Sequence, residues 1–64
     1  MNVWDYLNDE EKEMVFSEKA DEADVNENVH DTISFLKMRY AEAGKSLYEV
    51  EEMEKRILKY LEEV

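Results

Sequence analysis

The chain has a single glycine, Gly44, and a helix-start signal follows it. Ser46 stands two residues after the glycine, and Glu49 stands three residues after Ser46. Glycine commonly ends a helix by adopting the left-handed conformation. The Ser-x-x-Glu spacing opens a helix through two reciprocal hydrogen bonds, the capping box. Together the two signals predict a turn at residues 44 to 46 between two helices.

The segments on either side of this turn have helical spacing of apolar residues. Upstream, apolar residues recur at intervals of four, three, four and three, which places them on one stripe about 80° wide and predicts a helix over residues 26 to 43. Downstream, they cover an arc of about 160°, wider than one neighbouring helix covers. The upstream stripe consists of Val29, Ile33, Leu36, Tyr40 and Ala43, and the downstream arc of Leu47, Val50, Met53, Ile57, Leu58, Tyr60, Leu61 and Val64.

Two further apolar residues, Phe35 and Met38, point about 100° or more away from the upstream stripe. They need a cover, which either the N-terminal segment or a second copy of the chain would supply. We therefore expect an all-α domain in which a helical hairpin pairs as a two-fold homodimer with a four-helix core. The predicted core and dimer residues are Val29, Ile33, Phe35, Leu36, Met38, Tyr40, Leu47, Val50, Met53, Ile57, Leu58 and Leu61.

Residues 1 to 25 form the acidic part of this single domain, which spans residues 1 to 64. Asn8 precedes a run of acids and is a suitable N-cap, so a helix is predicted over residues 9 to 23. Before it, a short helical turn is predicted to dock onto the hairpin, with Trp4 as its main anchor because aromatic side chains bury large areas. Asp24 and Glu27 have capping-box spacing for the start of the next helix.

The charge is strongly negative and unevenly distributed. The chain has 18 acidic and 8 basic residues, for a net charge of −10. Residues 1 to 31 contain 11 acids and 2 bases, whereas residues 32 to 64 contain 7 acids and 6 bases. Such a charge repels phosphate backbones and anionic lipids, so a basic protein surface is the expected partner, with no direct nucleic-acid or membrane binding.

Composition also limits the compartment and the chemistry. The chain has no cysteine and one histidine, which argues against disulfides and structural zinc sites. It has neither an apolar run of about 20 residues, as a membrane span needs, nor the basic start and apolar segment of a signal peptide, so we expect a cytoplasmic protein.

Two nucleic-acid and nucleotide motifs are also disfavoured. A phosphate-binding loop is excluded because Arg39 occupies the position of its first glycine. DNA binding by a helix-turn-helix is disfavoured because Glu49, Glu51 and Glu52 begin the second helix.

No catalytic site is predicted, because the single histidine has no recognisable Ser or Cys partner. Glu27 and His30 have the Glu-x-x-His spacing of helical metal sites. Only one acid, Glu54, lies near the expected seam of the hairpin, however, so no metal or cofactor is predicted. A two-fold dimer would bring two Glu27-His30 pairs together, so a metal-binding helical bundle is the second alternative.

The acidic half allows three interpretations. Carboxylates spaced by four residues would form rows on a helix, and such rows act as a solvated face, as a docking surface for a basic partner or as a mimic of nucleic-acid phosphates. We favour a non-catalytic module that binds and regulates a larger protein through its acidic helical surface, with inhibition as the expected effect. A nucleic-acid mimic that competes for a DNA- or RNA-binding protein is the alternative. Tyr48 lies off the apolar arc and suits a contact surface, whereas Tyr40 and Tyr60 are expected in the core with hydroxyls at solvent. The predicted partner-binding residues are Trp4, Asp5, Tyr6, Asp9, Glu10, Glu13, Phe16, Glu18 and Glu22.

Overall fold

The computed structural model describes residues 2–18 and 20–63, and every regular element among them is helical. The all-α prediction is confirmed. In chain order, the elements are a short 3-10 helix, η1 (Val3–Tyr6), followed by α1 (Asp9–Ser17), α2 (Glu22–Glu27), α3 (Val29–Glu42) and α4 (Leu47–Glu63).

The predicted turn joins α3 to α4. Gly44 has a φ of +75°, in the left-handed region that a glycine adopts without a Cβ penalty. The amide of Lys45 donates to the carbonyl of Tyr40 at 3.0 Å, which closes the end of α3. Ser46 and Glu49 form the capping box of α4, with 2.9 Å from the Ser46 amide to Glu49 Oε2 and 3.3 Å from the Glu49 amide to Ser46 Oγ. The hairpin turn is thus confirmed by its own hydrogen bonds.

The helix predicted over residues 9 to 23 is wrong in its second half. Asn8 caps α1 as expected, but α1 ends at Ser17 and a separate helix, α2, follows. Asp21 begins α2 because its carboxylate accepts a 3.0 Å hydrogen bond from the amide of Asp24, while Asp24 accepts one from the amide of Asp21 at 3.1 Å. The capping box therefore starts at Asp21 rather than at Asp24, and α3 begins at Val29 rather than near residue 26.

The N-terminal region covers the hairpin and completes its core. η1 contacts both α2 and α4, α1 packs against α3, and the Val3 amide donates to Asn26 Oδ1 of α2 at 2.8 Å. Val3 and Leu7 are buried, and Trp4 is half-buried and packs against the core, so Trp4 takes part in the docking of this segment together with two more deeply buried neighbours. The buried apolar core consists of Val3, Leu7, Val15, Val25, Val29, Ile33, Leu36, Tyr40, Met53 and Ile57.

Part of the predicted core and dimer set remains at the surface of the single chain. Phe35 is half-buried, Met38 is 55% exposed and Leu47 is 73% exposed. Val50 and Leu58 are half-buried. Val64 of the predicted arc lies outside the described residues. The hairpin core is therefore filled within one chain, while the outer part of the arc on α4 lacks a cover among the described residues.

Candidate functional site

A buried carboxylate links three helices. Glu11 of α1 has no exposed surface and receives two hydrogen bonds from Arg56 of α4, at 2.7 Å from Nη1 to Oε1 and 2.8 Å from Nη2 to Oε2. The hydroxyl of Tyr40, on α3, donates to Oε2, and the amide of Asn8 donates to Oε1 at 2.9 Å. Arg56 also donates to the carbonyl of Tyr6. Both carboxylate oxygens are thus satisfied, which a buried charge requires.

The surroundings of Glu11 shift the pKa values of the groups in this network. Burial raises the pKa of Glu11, but the hydrogen bonds from Arg56, Tyr40 and Asn8 outweigh it, so the pKa lies below its ordinary value. Burial and the hydrogen bond to Glu11 raise the pKa of Tyr40 to about 12. The hydrogen bond to Glu11 raises the pKa of Arg56. Glu11 is therefore an ionised structural acid at neutral pH, not a proton donor.

Sequence reasoning missed the role of Glu11 and misplaced the hydroxyl of Tyr40. The ring of Tyr40 is in the core as predicted, but its hydroxyl donates to the buried Glu11 instead of reaching solvent. The Asn8-x-x-Glu11 spacing was the available signal, since it matches the capping box that the structure forms. That spacing predicts a capping role, whereas the contact with Arg56, 45 residues away, leaves no local signal.

Two exposed ion pairs also join α1 to the C-terminal half. Lys45 lies 3.2 Å from Glu10, and Arg39 lies 2.7 Å from Glu18. The two glutamate side chains are half-exposed, so each pair stabilises the fold only weakly. Some of the predicted partner-binding acids therefore contact cations of their own chain.

The other predicted partner-binding acids are differently placed. Asp9 and Glu13 are exposed and form no ion pair among residues 2–18 and 20–63. Asp5 accepts a hydrogen bond from the amide of Asn2, and Glu22 accepts one from the Asn2 side chain. Some of the predicted partner-binding acids therefore contact groups of their own chain, whereas Asp9 and Glu13 are exposed to solvent.

The predicted aromatic anchors form two separate contacts. Trp4 and Phe16 pack edge to face with ring centroids 5.3 Å apart, and Phe16 is 60% exposed. Tyr6 packs against Tyr60 at 5.7 Å and donates its hydroxyl to Glu63. Tyr48, the other candidate contact residue, is 70% exposed. The Trp4-Phe16 pair is the part of the set that combines aromatic surface with exposure.

A cleft of about 230 Å³ lies where α1, α2 and α3 meet. Buried Val15 and Val25 form its floor, together with half-buried Phe35. Three exposed acidic residues, Glu18, Asp24 and Asp31, also line this cleft. We call it the acidic cleft. The remaining lining residues are Ala20, Asn28 and Thr32. Its chemistry suits a ligand with an apolar stem and a positive end.

Glu27 and His30 do not share a helix face. Glu27 is the last residue of α2, His30 is the second residue of α3, and Asn28 separates the helices. The single-helix Glu-x-x-His arrangement considered from the sequence is therefore wrong. Among the described residues, no group of three or more His, Cys, Asp or Glu side chains is arranged to hold a metal ion.

Comparison with known protein families, with curated proteins and with solved structures finds no significant match. In the part of the chain that the structure describes, none of the helices combines the length and the apolar character needed to cross a bilayer.

Proposed function

We propose that this protein is a non-catalytic interaction module that binds and inhibits a larger protein through a basic segment of that partner. The acidic cleft carries the proposal, because it combines an apolar floor with carboxylates at its edge. A lysine or arginine side chain has matching chemistry, with an apolar stem and a cationic end. The net charge of −10 would in addition accelerate the encounter with a basic surface.

The state of Asp31 supports the cleft as the docking point. Asp31 is exposed and forms no ion pair or side-chain hydrogen bond among the described residues. Glu18, by contrast, is already paired with Arg39. A basic side chain that enters the cleft would gain the interaction with Asp31 and would compete with Arg39 for Glu18. Asp31 is therefore the acid whose removal should affect binding most directly.

The test is an NMR titration of the labelled protein with a short peptide of alternating lysine and leucine, and with a glutamate-for-lysine peptide as the negative probe. We expect amide shifts at Val25, Thr32 and Phe35 with the basic peptide only, and a weaker affinity at higher salt. Asp31→Asn should weaken binding severalfold. Glu62→Gln is the matched control, because it removes the same charge from an exposed position on α4 and should leave the affinity unchanged.

Two results would contradict the proposal. Shifts spread evenly over all exposed acids, with equal effects of Asp31→Asn and Glu62→Gln, would indicate a solvated face without a docking point. A partner captured from the native host that duplex DNA displaces, with no shifts at the cleft, would favour nucleic-acid mimicry instead.

Pairing of two copies is a second part of the proposal. It is motivated by apolar surface on α4 that the described chain leaves open, with Leu47 73% exposed. This pairing involves α4 and does not depend on the acidic cleft, so the two parts can fail separately.

A further inference from the structure

The outer side of α4 carries a stripe of four apolar side chains that the described residues cover only in part. Leu47 is 73% exposed and Leu61 is 37% exposed. Between them, Val50 and Leu58 are half-buried and pack in part against the core. At about 100° per residue these four lie on one side of the helix, beside its two fully buried residues, over a length of about 21 Å. We call this set the α4 stripe.

The spacing of the α4 stripe is the same in both directions along the helix. From Leu47 to Val50 is three residues, from Val50 to Glu54 four, from Glu54 to Leu58 four, and from Leu58 to Leu61 three. An antiparallel second copy, related by a two-fold axis at Glu54, therefore places Leu47 against Leu61 and Val50 against Leu58. A two-fold interface requires self-complementarity of this kind.

The charges near Glu54 are compatible with this axis. Glu54 lies 2.8 Å from Lys37 of α3, so each copy brings an ion pair rather than a bare carboxylate to the axis. Residues 32 to 64, which form nearly all of the hairpin, contain 7 acids and 6 bases, whereas residues 1 to 31 contain 11 acids and 2 bases. The hairpin is thus the part of the molecule at which two copies repel each other least.

We propose, as a specific form of the pairing given under Proposed function and resting on it, that two copies of this chain associate through antiparallel packing of their α4 stripes, with the Lys37-Glu54 ion pairs at the two-fold axis. A standard interface buries about 800 Å² per partner, close to a fifth of the 4309 Å² surface of this chain. The α4 stripe has four side chains, two of them already half-buried, so it offers less apolar surface than a standard interface buries. We therefore expect a weak dimer whose population depends on protein concentration.

The test is a set of charge substitutions at positions that face each other only in the antiparallel arrangement. Leu47→Glu and Leu61→Lys each bury an unpaired charge in the dimer, and the two-fold axis makes each substitution act twice. Either one should weaken the dimerisation constant by at least about tenfold, measured by analytical ultracentrifugation over a series of concentrations. Each places its charge at the helix end that favours it, an acid near the start and a base near the end, so folding should be retained and is checked by circular dichroism.

The double variant Leu47→Glu/Leu61→Lys separates the possible arrangements. In the antiparallel dimer the introduced acid faces the introduced base of the second copy, so dimerisation should recover and become sensitive to salt. In a parallel dimer like charges would face each other, and no recovery would follow. Tyr48→Glu is the matched control, because Tyr48 is 70% exposed but lies about 100° around the helix from Leu47.

A protomer mass at every concentration for the unchanged protein would overturn the proposal. Failure of the double variant to recover, or an equal loss of the dimer in Tyr48→Glu, would also overturn it. All of these measurements use the protein without the basic peptide, so their outcome is independent of the acidic cleft.

Discussion

Among the cations that the structure describes, replacement of Arg56 by methionine should destabilise the protein most. Arg56→Met keeps an apolar stem of similar length but leaves the Glu11 carboxylate, which has no exposed surface, without a positive partner. Removing one member of a buried ion pair costs about 3–5 kcal/mol. The Arg56 side chain is itself 38% exposed. Solvent screening therefore reduces the expected loss to about 2–3 kcal/mol.

That loss is large for a chain of this size. At about 0.05–0.15 kcal/mol per residue, the total stability of a 64-residue domain is about 3–10 kcal/mol. A loss of 1 kcal/mol lowers Tm by about 4–8 °C in domains of this length, so Arg56→Met should lower Tm by roughly 10–20 °C. Urea unfolding followed by circular dichroism measures the free energy directly.

Two further variants identify the cause of the loss. Lys45→Met removes the exposed partner of Glu10 and should cost at most about 1 kcal/mol. The double variant Glu11→Gln/Arg56→Met removes the buried charge. The glutamine oxygen can accept from the Asn8 amide and its NH2 group can donate to the Tyr40 hydroxyl, so the double variant should regain at least about half of the loss. Equal effects of Arg56→Met and Lys45→Met, or no recovery in the double variant, would refute the assignment of the cost to an unpaired buried charge.

The unfolding free energies of the unchanged protein and of Arg56→Met should change with pH in opposite directions. In the unchanged protein the pKa of Glu11 lies below its ordinary value of 4.5, so its contribution is present above that pH and is lost as the pH falls through the lower folded pKa. In Arg56→Met, burial still raises the pKa of Glu11 while the lowering by the guanidinium is lost, so we expect this pKa to move above its ordinary value. The variant is then stabilised by proton uptake, and the difference in unfolding free energy between the two proteins should narrow as the pH is lowered from neutral towards 4.5.

Two other variants test the turn and the tyrosine network. Gly44→Ala should lower the free energy of unfolding by about 1 kcal/mol, measured in urea, because the φ of this residue is +75°. Nothing lies within 4 Å of an added Cβ, so the cost comes from the backbone conformation alone. An unchanged unfolding midpoint would show that the turn does not require this conformation. Tyr40 has a pKa of about 12, so its stabilising contribution is present below the ordinary value of 10.0 and is lost as the pH rises through about 12. The hydrogen bond to Glu63 also raises the pKa of Tyr6, so the comparison is made in a Tyr6→Phe background. There, tyrosine absorbance should show a late ionisation that disappears when Tyr40→Phe is added, and its persistence in the double variant would contradict the assignment.

The parts of the fold that depend on neighbours in sequence were predictable. Gly44, Ser46 and Glu49 act within a few residues of one another, and the hairpin turn followed from them. The break between α1 and α2 was not predicted, because several acids in residues 18 to 24 are possible caps and local spacing does not rank them. The packing of η1 against α2, where Asn26 accepts from the Val3 amide, joins residues 23 positions apart and likewise has no local signal.

The candidate sites were less predictable, because their residues come from distant parts of the chain. Glu11 stands in an acidic run that is typical of a solvated surface, and only packing against Tyr40 and Arg56 makes it a buried residue. The acidic cleft likewise joins Val15 to Phe35 across three helices. Of the acids around it, only Glu18 belonged to the predicted partner-binding set.

The acidity of the N-terminal half serves two different purposes in this structure. Glu10, Glu11 and Glu18 each contact a cation of the C-terminal half, so part of the charge asymmetry holds α1 against the hairpin. Substitution of these three acids therefore changes stability as well as any binding. Asp31 contacts no cation among the described residues, so its neutralisation changes the surface charge with little effect on packing. A binding defect in Asp31→Asn is consequently the result that assigns the acidity a role outside the molecule itself.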